Sequence, residues 1–160
     1  MEPWHDFFVA EVGAAAALAG LLFVSLSVNE ERILRFRGLP ERGMQALSML
    51  FLVFALASLA LAPEHTPRGF GLTALVLSAL QAAAMTALQI RSLPDGRAER
   101  RRTLGSLAIG QIASWAFVIG SLLMVLRDDW SGLAWFPAGV ILAFAFAGVA
   151  SWVLLIEINR

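Results

Sequence analysis

Apolar residues fall along the chain in five long blocks separated by short polar stretches. The blocks are Phe7–Val28, Gly43–Ala62, Phe70–Ile90, Leu104–Leu126 and Leu133–Ile156. A helix needs about 20 residues, rising about 1.5 Å each, to cross roughly 30 Å of hydrocarbon. Each block has that length, and length separates such runs from buried strands, which are much shorter. A membrane barrel would instead show segments of about ten residues alternating apolar and polar, a pattern absent from this sequence. The predicted fold is all-α: a polytopic integral membrane protein, a bundle of five transmembrane helices forming one domain over residues 1–160. The blocks take up about 110 of the 160 residues, so no extramembrane domain is expected.

Composition agrees. Hydrophobic residues make up 59% of the chain and charged ones 15%, against roughly 25% charged in an average soluble domain; mean hydropathy is +0.75. A soluble globular protein and a disordered chain are both excluded. With Cys at 0, disulfides, thiolate metal sites and cysteine nucleophiles are excluded as well.

The formal charge is +0, but its distribution is uneven. All 12 basic residues are arginines. Arg32, Arg35, Arg37 and Arg42 lie in or beside the first connection, Arg91, Arg97, Arg100, Arg101 and Arg102 at the third, and Arg160 follows the fifth block. Arg68 and Arg127 fall on the other side. Arginine accumulates on the cytoplasmic side of membrane proteins, so the N-terminus is expected outside and the C-terminus in the cytoplasm, across a bacterial inner membrane. The leader Met1–Asp6 is acidic and the first apolar run long, which argues against a cleaved signal peptide. Trp4, Trp130 and Trp135 are expected at the outer interface and Trp152 near the inner one.

Small residues at helical spacing mark expected packing faces, because close backbone approach holds helices together in lipid. These are Gly13 with Ala17 and Ala16 with Gly20 in the first block, and Ala74, Ser78, Ala82 and Thr86 in the third. Ser106, Gly110 and Ser114 mark the fourth, and Gly139, Ala143, Ala147 and Ser151 the fifth. Polar residues inside the blocks share faces too: Ser78, Gln81, Met85 and Gln89 on the third, and Gln111, Ser114 and Ser121 on the fourth. A hydrogen bond between Gln81 and Gln111, with the nearby Trp115 indole also in need of a partner, is the expected clasp. The competing expectation is a wet face lining a solute path.

Glu11 is the single ionisable residue within the blocks. It lies roughly 10 Å from the bilayer centre, and in an oligomer assembled around the first helix it would repeat as a ring favouring cations. Pairing with His5, Arg68 or Arg127 is the structural alternative. His5, Asp6, Glu64 and His65 share the outer side but lack the spacing of a helical metal motif, so no metal or cofactor is expected. Arg97, Arg100, Arg101 and Arg102 are expected to contact anionic lipid head groups rather than nucleic acid. Beside the first connection, Ile33, Leu34, Phe36 and Leu39 would lay an apolar side on the membrane surface, with Glu31 four residues before Arg35. No phosphate-binding glycine loop, His-Glu-x-x-His motif or second intramembrane carboxylate is present, so an enzyme is not expected.

The segment Trp4-His5-Asp6-Phe7-Phe8, followed by the run Gly13 to Asn29 (GAAAALAGLLFVSLSVN), resembles the opening of a group of small bacterial inner-membrane proteins that have no established activity. Five spans in this length also match the tryptophan-rich sensory (translocator) proteins in size, but their Trp- and Pro-rich motifs are missing. Two functions are expected from the residues. One is a homo-oligomer forming a channel-like ion or small-solute pathway, with Glu11, Ser78, Gln81, Gln89, Gln111 and Ser114 on its polar faces and Gly13, Ala17, Gly110, Gly139, Ala143 and Ala147 packing helices. The other is an accessory subunit binding a larger membrane enzyme, transporter or protease through the same small-residue stripes. A carrier ranks below both, since five spans do not divide into the usual paired repeats.

Overall fold

The computed structural model describes residues 2–28, 30–33, 39–63, 66–92 and 97–158, with backbone alone at 2, 30, 32, 92, 97–107 and 153–158. A 3-10 turn, Glu2–Trp4, leads into α1 (His5–Val28), followed by the single turn α2 (Glu30–Ile33) and then α3 (Leu39–Leu61), α4 (Pro67–Ser92) and α5 (Arg97–Arg127). A second 3-10 turn, Trp130–Trp135, precedes α6 (Phe136–Ile158). The five long helices are each apolar and long enough to cross a membrane, and no strand occurs among the described residues. The chain is an all-α, multi-pass membrane bundle.

Helix ends carry local signals. The Thr66 hydroxyl accepts the Gly69 N–H at 3.1 Å, and Pro67 opens α4 where its missing N–H leaves no bond unmade. At the far end of α5, Asp128 adopts φ 53, the left-handed geometry that stops a helix and that aspartate tolerates. Asp129 then caps the Trp130–Trp135 turn by accepting the Ser131 N–H at 2.9 Å. α5 begins at Arg97, earlier than its apolar block, so the Arg97–Arg102 cluster sits on helical backbone. A helix once nucleated propagates through polar residues at little cost, so a span's hydropathy does not mark its end. Pro94-Asp95-Gly96, a sequence that reads as a tight turn between the third and fourth blocks, lies outside the described residues.

The helices α3, α4, α5 and α6 form a closed ring in which each packs on the next and α6 returns to α3; the α4–α5 pair is the most extensive. α1 lies outside this ring against α3, with a small contact to α6. Two ends follow, an arginine-rich one holding the connections after α1 and α4, and an arginine-poor one holding the N-terminus of α1. The Ile33 and Leu39 side chains are buried within the chain rather than spread on the membrane surface; Leu34, Arg35 and Phe36 lie outside the described residues.

The arginine-poor half is filled with aromatic side chains. Phe136 meets Phe117 edge-on at 5.5 Å, Phe70 at 6.0 Å and Phe8 at 6.3 Å, and Phe70 also meets Trp130 at 6.0 Å. Phe70, Phe117 and Phe136 are fully buried. Helices in lipid gain little from leaving it, so such van der Waals contacts carry the association, each aromatic pair adding about 0.5–1.5 kcal/mol. The small stripe of α6 serves the same end: a Cβ on Gly139 would lie 2.9 Å from the Phe117 ring. Ala143 and Ala147 are buried beside it.

Candidate functional site

Polar side chains gather in the arginine-rich half, where they tie three helices together. Gln81 on α4 donates to the Ser48 hydroxyl on α3 at 3.1 Å. Gln111 on α5 donates to Thr86 Oγ1 at 2.9 Å and to Gln89 Oε1 at 3.0 Å, both on α4. The expected α4–α5 clasp therefore exists, but its partners differ: Gln81 turns to α3 and leaves Gln111 to Thr86 and Gln89. The reason is angular. Residues 81 and 89 differ by about 80° on the helical wheel, enough for one to face α3 and the other α5. Ser78 and Ser114 are buried and donate back to the carbonyls of Ala74 at 2.7 Å and Gly110 at 3.0 Å. Trp115, expected to need a partner inside, is 55% exposed on the outer surface of α5.

Gln45 was not among the residues singled out by pattern, yet it is the most deeply placed amide. It is fully buried, and neither its Nε2 nor its Oε1 has a hydrogen-bond partner. A glutamine near the start of the second apolar block was the available signal. Glu41 Oε2, one turn earlier on the same side of α3, and Gln111 Oε1 are likewise buried without partners.

Glu11 is half-buried in α1, and its Oε2 is covered but unpaired. Gly20 lies nine residues further, about two and a half turns, and so on the opposite side of the helix. There, Gly13, Ala16, Ala17 and Gly20 are exposed, and a Cβ on either glycine would meet nothing within 4 Å. Gly13 and Ala17 thus pack against no other part of the described chain, whereas Gly110 sits under Met85 and Phe146. Two apolar grooves flank α1. One, about 260 Å³, includes Leu22, Ser25, Leu50, Phe144 and Ala147 in its lining; the other, about 300 Å³, runs past Gly20, Phe23, Phe51 and Phe54.

Of the possible metal residues, His5 and Asp6 are exposed at the start of α1, and Glu64 and His65 lie outside the described residues. The side chains of Arg97, Arg100, Arg101 and Arg102 also lie outside them. Comparisons with protein-family models, curated proteins and solved structures find no match for the chain.

Proposed function

We propose that the chain is a non-enzymatic assembly subunit of a bacterial inner membrane that acts by helix–helix association, docking through the open face of α1 onto a larger membrane protein. The observation that carries this is the exposed set Gly13, Ala16, Ala17 and Gly20. Gly139, Ala143 and Ala147 of α6 and Gly110 of α5 are covered within the bundle, while this set remains available for a backbone to approach closely. The arginine asymmetry supports an orientation with the N-terminus outside and the arginine-rich end in the cytoplasm.

A channel-like homo-oligomer is the second reading, favoured by the covered, unpaired Glu11 oxygen. The ring is filled by Phe70, Phe117 and Phe136, so a solute path would run between protomers. Protomers meeting through the small-residue face would point Glu11 away from their shared axis, which weighs against a carboxylate ring.

Mass measurement in nanodiscs and purification from native membranes separate the two. The assembly reading expects Gly13→Leu and Gly20→Leu to release one stoichiometric partner while the bundle stays folded. A defined homo-oligomer whose cation flux in liposomes falls on Glu11→Gln would establish the channel instead.

A further inference from the structure

α1 and α6 run in the same direction and meet at the arginine-poor end, where Phe8 stands edge-on to Phe136 at 6.3 Å. Their contact is otherwise slight, because each rests on α3. Toward the arginine-rich end they leave between them the groove of about 260 Å³, floored by Leu50 of α3 and walled by Leu22 and Phe144. It extends along α1 from Leu18 to Ser25, about 10 Å at 1.5 Å per residue. Leu22, Leu50 and Ala147 are buried in the bundle, so the groove reaches behind the outer surface. Leu21 and Gly148, also in its lining, are exposed and mark its open side. α2, which follows α1, packs on α6, so the first connection passes across the arginine-rich end of the groove.

The lining identifies the occupant. Apart from Ser25 and Ser151 the groove is apolar, and the Ser151 hydroxyl already donates to the Ala147 carbonyl at 2.8 Å. Water would find few polar groups to bond there. A transmembrane helix, about 10–12 Å across with its side chains, is too wide for a slot of this volume and length. A single hydrocarbon chain suits both the width and the chemistry, and the groove opens sideways at a depth where such chains are the solvent. Left empty, its walls would forfeit their dispersion contacts. Charge selects the kind of lipid. Both serines lie at the arginine-rich end of the groove, and the connection that passes there carries Arg32, Arg35, Arg37 and Arg42 against Glu30, Glu31 and Glu41. Arginines outnumber carboxylates at this end of the molecule as a whole, and the reverse holds at the other. Such an excess at a membrane surface attracts anionic head groups. We propose that the groove between α1 and α6 seats one acyl chain of an anionic phospholipid from the arginine-rich leaflet, with its head group beside the first connection. The site is independent of the docking face, since Leu22 lies about 160° from Gly20 on the wheel of α1.

Photolabelling of the full chain in phosphatidylcholine nanodiscs tests this, with a trace of phosphatidylglycerol carrying a diazirine midway along one acyl chain. Adducts mapped by mass spectrometry should be several-fold more frequent at Leu21, Leu22 and Phe144 than at Ile112 and Trp115, which are exposed on α5. A Cβ on Gly148 would meet nothing within 4 Å, so Gly148→Leu can fill the groove without disturbing the bundle. It should cut the groove adducts several-fold and leave those on α5 unchanged, whereas Gly13→Leu, on the docking face, should alter neither. A phosphatidylcholine probe with the same chain should label the groove several-fold less. Groove adducts no more frequent than those on α5, or unchanged in Gly148→Leu, would overturn the proposal, and so would equal labelling by the two head groups. Protein–protein crosslinks at Leu21 in place of lipid adducts would show a second copy covering the groove and overturn it as well.

Discussion

Gly120 and Gly132 bring two stretches of backbone into direct contact. A Cβ on Gly120 would lie 2.7 Å from the Gly132 carbonyl oxygen, an atom fixed by main chain that no side-chain rotation can move aside. Gly120→Ala is expected to cost about 1–3 kcal/mol through overpacking, measurable as a lower midpoint in denaturant unfolding from micelles. Gly110→Ala should cost less, since the methyl would press on the flexible tip of Met85. Asp129 lies beside the same contact. The Ser131 hydroxyl and then the Ser131 N–H hold its carboxyl below the ordinary aspartate range. A lowered folded value means the cap's contribution is complete above an unfolded pKa of about 3.9 and fades as pH falls through the folded value. Tryptophan emission should therefore stay constant from about pH 8 to about pH 5, and its change in stronger acid should shrink in Asp129→Asn. None of this was legible in the sequence, because a glycine announces freedom to approach but not the strand of chain that approaches it.

At the scale of the helix, the polar clasps are weaker than the packing they accompany. Interhelical hydrogen bonds in membrane proteins average about 0.6 kcal/mol and reach about 1.7, so Gln111→Leu should destabilise the bundle by less than Gly120→Ala does. A double-mutant cycle of Gln111→Leu with Thr86→Val would give a coupling in the same range, and a coupling near zero would show that the bond does not hold α4 to α5. The five helices were legible from the length of their apolar blocks, and the α6 stripe Gly139, Ala143 and Ala147 from its spacing alone. The pairing of Gln111 was not, because one helix's periodicity says which residues share its face but not how its neighbour is rotated. Gln45 escaped for a related reason: close to the edge of an apolar block, an amide reads as interfacial until the tertiary packing covers it. On α1 the same ambiguity ran the other way, since the stripe containing Gly13 and Ala17 has packing chemistry but is exposed among the described residues.

Among the described residues, four long helices form a ring and a fifth is laid chiefly against one of them. The orientation proposed above rests on the arginine asymmetry, so replacing Arg91, Arg97, Arg100, Arg101 and Arg102 together with Gln should produce a mixed population of orientations, scored by cysteine labelling from each side in this cysteine-free chain. An unchanged single orientation would assign control to the first connection. The ring also imposes an order in time. During synthesis α1 enters the membrane before the helix it rests on, α3, and α3 waits through two further spans for α6 to reach its other side. Until then the α3 flank that packs on α6 lacks its partner, while α4 and α5 already form their extensive pair. Assembly therefore ends with a single docking event that joins the earliest ring helix to the latest. A nascent chain halted before Phe136 would display an unfinished flank for the cell's quality-control proteases to recognise.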